Sequence, residues 1–175
     1  MYENNGMVAL RCTRKLLQRA RLKPADTPGA PTTRLGDWYA TVLPFRKPLV
    51  LALSEKTLAG AVWPLAPANS VLSRWPEAVR DLLLALTIPP EAVAAEVLAM
   101  EEMAAAVTTS RRVVGCLNEA VATLKWLGAP STRSGLLAVG LRLARNTYSV
   151  TDYELPADAV YRAFGVAERP ESKTR

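Results

Sequence analysis

Three short apolar runs between residues 37 and 63 form the clearest hydrophobic pattern in the chain. They cover residues 37–43, 49–53 and 58–63, and short polar connections separate them. Connections of hairpin length predict three strands that pair antiparallel in sequence order. The middle run contains no polar residue, so we expect a central strand in which Val50 and Leu51 are buried.

Helical periodicity follows these strands. Apolar residues at helical spacing predict four main helices, over residues 73–88, 91–103, 111–127 and 133–146. In the first of them, Leu82 belongs to the inward stripe and Pro76 fits the first turn. Ser110 has the position of an N-cap for the third helix.

The remaining segments complete the expected fold. We predict a strand over residues 7–12, a helix over 14–22 capped by Thr13, a loop over 24–36, a short additional strand over 104–109 and a short helix over 156–165. Together they predict a single α+β domain over residues 7–166. It consists of a small antiparallel β-meander, extended by the N-terminal strand and covered by about four main helices. Residues 1–6 and 167–175 are expected to be a disordered leader and tail.

Composition excludes several kinds of chemistry. The 175 residues include no histidine, so a Ser-His-Asp triad, a Cys-His dyad and histidine-ligated metal sites are excluded. The two cysteines, Cys12 and Cys116, lie among apolar residues and are expected to be buried free thiols without function. Glu96, Glu101 and Glu102 resemble a carboxylate cluster, but we interpret them as a solvated helix face. We therefore predict no catalytic residue, no metal and no cofactor.

The chain lacks sequence features of membrane insertion or export. No apolar run reaches the roughly 18 residues that a membrane-spanning helix needs. The first residues contain neither a basic segment nor an apolar segment of the kind that directs secretion. We expect a soluble cytoplasmic protein.

Basic residues are the remaining candidates for function. The formal net charge is +6, which favours acidic partners by long-range attraction. Arg111 and Arg112 stand at the start of a predicted helix, where cations oppose the helix dipole. For each group of basic residues, a solvated surface without a binding role is the simpler explanation. The candidate binding residues are Arg14, Lys15, Arg46, Lys47, Arg111, Arg112, Asn118, Arg142 and Arg145.

Short motifs give the chain a resemblance to a known family. They are RCTRKLL at residues 11–17, WYA at 38–40, RKPLVL at 46–51, SRRVVGCLNEA at 110–120 and LARN at 143–146. With these motifs, most of residues 7–165 resembles a family of small bacterial proteins known only as a domain of unknown function. The resemblance implies a shared fold and a bacterial origin, and it implies no reaction.

Two classes of function remain open, and a third ranks behind them. The leading hypothesis is a non-catalytic protein that binds another protein, by analogy in a plasmid, phage-defence or toxin–antitoxin setting. The alternative is a nucleic-acid-binding protein that uses the Arg and Lys residues of the helices over 14–22, 111–127 and 133–146. The helices over 111–127 and 133–146 resemble a helix-turn-helix in outline, although a helical hairpin gives the same pattern. A histidine-free enzyme ranks last.

Overall fold

The structure, a computed structural model, describes residues 6–167. Its strands are β1 (Val8–Cys12), β2 (Trp38–Leu43), β3 (Leu49–Ser54), β4 (Gly60–Pro64) and β5 (Met103–Val107). Its helices are α1 (Arg14–Ala20), α2 (Val71–Ala85), α3 (Pro90–Ala99), α4 (Arg111–Lys125), α5 (Arg133–Leu143) and α6 (Pro156–Ala163). Apart from Gly6 and Ala167, the predicted leader and tail lie outside the described residues.

The strands form one mixed sheet in the order β4-β3-β2-β1-β5. The meander is as predicted, because β2, β3 and β4 pair antiparallel in sequence order. The prediction of an antiparallel sheet was nevertheless too simple, since β1 pairs parallel to both β2 and β5. Parallel pairing requires a long crossover. The segment that connects β1 to β2 contains α1, and the segment that leads from β4 to β5 contains α2 and α3.

Helices cover both faces of the sheet. We call the side that carries Trp38 the Trp38 face and the opposite side the Tyr39 face. Residues of α1, α2, α3 and α6 join the core on the Trp38 face, and residues of α4 join the core on the Tyr39 face. Val50, Leu51 and Leu82 are all at most 1% exposed, which confirms their predicted burial.

The helices differ from expectation in three respects. Residues 6–167 contain six α-helices, and the short α1 and α6, which were predicted as elements, also pack against the core, so more than the four main helices cover the sheet. Helix α2 begins at Val71, so Pro76 lies inside the helix and not in its first turn. Glu96 is buried rather than solvated, because its carboxylate accepts hydrogen bonds from the backbone N–H groups of Arg34 (2.8 Å) and Leu35 (3.0 Å).

The loop over residues 24–36 contacts one edge of the sheet. The Ala25 N–H donates to the Ala105 carbonyl of β5 over 2.8 Å. This contact occupies part of an otherwise open strand edge. Every helix within residues 6–167 is too short or too polar to cross a lipid bilayer.

Candidate functional site

Three adjacent parallel strands, β5, β1 and β2, end at the same edge of the sheet. Each strand is followed within a few residues by two consecutive basic residues. All of these side chains are exposed. We call the set the basic rim, and it consists of Arg111 and Arg112 after β5, Arg14 and Lys15 after β1, and Arg46 and Lys47 after β2.

The helices that follow β1 and β5 leave the sheet on opposite faces. Helix α1 contributes Leu16 to the core on the Trp38 face, whereas α4 contributes Val113 to the core on the Tyr39 face. Open sheets with parallel strands tend to bind ligands beyond the carboxyl ends of their strands, where the helix direction changes in this way. The basic rim therefore borders a favoured position for a binding site.

The first turn of α4 is fixed by a tyrosine of the sheet. The Tyr39 hydroxyl lies 3.1 Å from the Thr109 Oγ1 and accepts a hydrogen bond from the Ser110 N–H over 3.2 Å. The Ser110 Oγ accepts from the Val113 N–H over 3.3 Å, which confirms the predicted N-cap. These bonds set the position from which Arg111 and Arg112 project.

Thr13 holds the start of α1 in a similar way. Its N–H donates to the Ala40 carbonyl over 2.9 Å, and its Oγ1 lies 3.0 Å from the Thr41 Oγ1. The same Oγ1 accepts from the Leu16 N–H over 3.5 Å, so the predicted cap is confirmed. Arg14 and Lys15 thus extend from a helix start that is bonded to β2.

A salt bridge between Arg11 and Asp37 joins the three parallel strands. The Asp37 carboxylate accepts from the Arg11 Nε and from the Ala9 N–H, both over 2.9 Å. The Arg11 Nη1 donates to the Val107 carbonyl over 3.3 Å. Sequence reasoning missed this pair, although a charged residue inside an apolar strand was a usable signal. Since Asp37 is buried, we assign the pair a structural role.

The charge of the basic rim is not neutralised inside the protein. Among residues 6–167, no rim residue forms an ion pair, whereas Arg11, Arg80, Arg133 and Arg162 do. Neither α1 nor α4 has an acidic residue in its first turn. The positive end of each helix dipole therefore adds to the charge of the arginines and lysine beside it.

The other three predicted binding residues lie elsewhere. Asn118 is exposed in the middle of α4. Arg142 and Arg145 are exposed at the end of α5, where the neighbouring Leu143 packs against Gly60. Gly60 begins β4, which runs parallel to β2, so these two arginines lie toward the opposite edge of the sheet. The structure thus groups the rim residues around one edge and separates the other three from them.

Metal-binding clusters are not found in the part of the chain that the structure describes. No group of three or more His, Cys, Asp or Glu residues there is arranged to hold a metal ion. Of the three glutamates considered from the sequence, Glu96 is buried against a loop, whereas Glu101 and Glu102 are exposed.

Both cysteines are buried free thiols, as predicted. Burial raises the pKa of Cys12 to about 12, and burial followed by the nearby Glu119 raises the pKa of Cys116. Because the thiolate is the reactive form, we expect a disulfide reagent at pH 8 to label the folded protein much more slowly than the urea-unfolded protein. Rapid labelling of either thiol in the folded state would contradict this expectation.

Comparison with known proteins gives one result. Residues 9–159 match a family model described as a domain of unknown function (DUF6933). No curated protein and no solved structure matches the chain.

Proposed function

Since this chain belongs to the DUF6933 family, a domain of unknown function, we propose a role that rests on its own site. The protein is a non-catalytic binding protein whose target is an acidic surface on another protein. The basic rim is the contact surface.

The observation that carries this proposal is the unpaired charge of the rim on a fixed framework. Like charges at one edge repel each other, and a cation in the first turn of a helix costs about 0.3–1 kcal/mol of stability. A scattered basic surface avoids this cost. An acidic partner would compensate it, and the hydrogen bonds of Tyr39 and Thr13 hold the charges in place for that partner.

Two features favour a protein over a nucleic acid. The net charge of +6 is modest for a dedicated nucleic-acid binder. In addition, α5 packs closely on the edge strand β4, since a Cβ atom added at Gly140 would lie 3.0 Å from the Gly60 carbonyl oxygen. Helix α5 therefore packs on the edge of the sheet, which is not the arrangement of a free recognition helix that reads a DNA groove.

Two matched double variants test the proposal. Arg111→Gln with Arg112→Gln removes two charges from the rim, and Arg142→Gln with Arg145→Gln removes two charges from elsewhere. The probes are fluorescent poly-L-glutamate and single- and double-stranded DNA and RNA, titrated at about 50 and about 200 mM salt. We expect poly-L-glutamate to bind wild type at low salt. The rim variant should bind it several-fold more weakly, because charge attraction supplies the contact, and the control variant should bind it like wild type.

Two outcomes would overturn this assignment. If poly-L-glutamate fails to bind at low salt, or if both double variants weaken it equally, the rim is not a specific contact surface. If the nucleic acids bind more tightly and the rim variant lowers their salt slope by about 2, the partner is a nucleic acid, since each lost phosphate contact removes about 0.9 from that slope.

A further inference from the structure

A cleft of about 330 Å³ lies between α2, α5 and the outer edge of β4, apart from the basic rim. Small-molecule sites typically range from about 300 to 1,000 Å³ and are mainly apolar. The cleft fits this description, because most of its wall is apolar. Its apolar wall includes Val62, Ala78, Leu82, Leu136 and Leu137.

The cleft exists because α5 touches β4 closely at one end only. Toward the end of α5, Gly140 lies against the Gly60 carbonyl, and Leu143 packs so tightly on Gly60 that an added Cβ would lie 2.6 Å from it. The first half of α5 instead lines the opening with Leu136 and Leu137. The close contact at the glycines thus fixes one end of the cleft.

Backbone groups on the outer side of β4 face this space, among them the N–H and C=O of Val62. Hydrogen bonds from the Leu65 N–H to the Pro48 carbonyl (3.0 Å) and from the Ser54 N–H to the Ala59 carbonyl (2.9 Å) lie at the two ends of the β3–β4 ladder. Hydrogen bonding alternates along an antiparallel ladder, so Val62 directs its N–H and C=O away from β3. Since β4 is the last strand, these groups point into the cleft, which Val62 lines.

The charged groups at the mouth already contact other groups of the protein. Arg133 contacts Asp81 at 2.7 Å and Glu77 at 2.9 Å. The Arg74 guanidinium donates to the backbone carbonyls of Leu65, Pro67 and Ser70. The two cations and two anions sum to zero, so the mouth offers no net attraction to a charged ligand.

We propose that this cleft binds an uncharged, mainly apolar small molecule that carries one primary amide group. A primary amide carries its C=O and one N–H on the same side, so its C=O accepts from the Val62 N–H while that N–H donates to the Val62 C=O. The apolar part lies against Leu82, Leu136 and Leu137. This proposal is independent of the basic rim.

Three related compounds test the proposal on the whole protein. 4-Butylbenzamide carries the primary amide, methyl 4-butylbenzoate lacks the N–H donor, and 4-butylbenzoate carries a negative charge. Binding is followed by titration while the backbone amide signals are recorded by NMR. We expect the amide to shift the Val62 signal and to bind about fivefold more tightly than the ester, because the ester loses one hydrogen bond. The carboxylate should bind most weakly, because the charged groups at the mouth sum to zero and moving its charge out of water is costly.

Filling the cleft supplies the matched control. Leu137→Trp and Ala78→Phe each place a larger side chain in the cleft. Ala138→Trp introduces tryptophan at an exposed position of α5 instead. The first two variants should lose amide binding by tenfold or more and Ala138→Trp should retain it. The proposal fails if the Val62 signal does not move at millimolar amide. It fails equally if a folded cleft-filling variant binds the amide as wild type does.

Discussion

Replacing Leu82 by alanine is expected to lower the free energy of unfolding by about 2–5 kcal/mol. The side chain is 1% exposed and belongs to the core on the Trp38 face. Truncation to alanine loses the free energy that the protein gains by removing the methyl and methine groups of this side chain from water. It also leaves a space that the surrounding helices fill only in part, because α5 is already in close contact with β4 at Gly60 and Gly140. Urea unfolding followed by circular dichroism measures the loss.

A second leucine of the same helix provides the control. Leu84 is 44% exposed, so Leu84→Ala should change the free energy of unfolding by less than about 1 kcal/mol. If both variants lose the same stability, or if Leu82→Ala unfolds at the wild-type urea concentration, the assignment of Leu82 to the core is wrong.

Replacing Glu96 by alanine is expected to cost about 2–4 kcal/mol, because two backbone donors lose their acceptor at once. The carboxylate holds the N–H groups of Arg34 and Leu35, and the Leu35 bond is fully buried. Alanine is a good helix former, so the loss reports the missing acceptor and not a weaker α3.

Two further substitutions separate this explanation from a general effect of charge. Glu96→Gln keeps one acceptor oxygen, so it should lose about half as much stability as Glu96→Ala. Glu101→Ala removes an exposed glutamate and should lie within about 0.5 kcal/mol of wild type. Equal stability of Glu96→Ala and Glu101→Ala in urea would show that the buried contact contributes nothing.

Elements that depend on near neighbours could be predicted from the sequence. The strands β2, β3 and β4 follow one another through short turns, so loop length alone specified their order and direction. The caps at Thr13 and Ser110 act on residues three positions ahead, which is a contact that local spacing reveals. The burial of Leu82 followed from its place in a helical stripe.

Contacts between distant segments were decided by the tertiary structure. Amphipathic periodicity assigns a polar residue to the solvent, but Glu96 is buried because a loop about sixty positions away presents two N–H groups to it. The parallel pairing of β1 with β2 and β5 depends on how long crossovers return, and no local pattern encodes that path. The basic rim shares this origin. Its three pairs of charges are far apart in sequence and come to one edge because parallel strands end there, whereas the cleft exists because two glycines let α5 approach β4 at one end only.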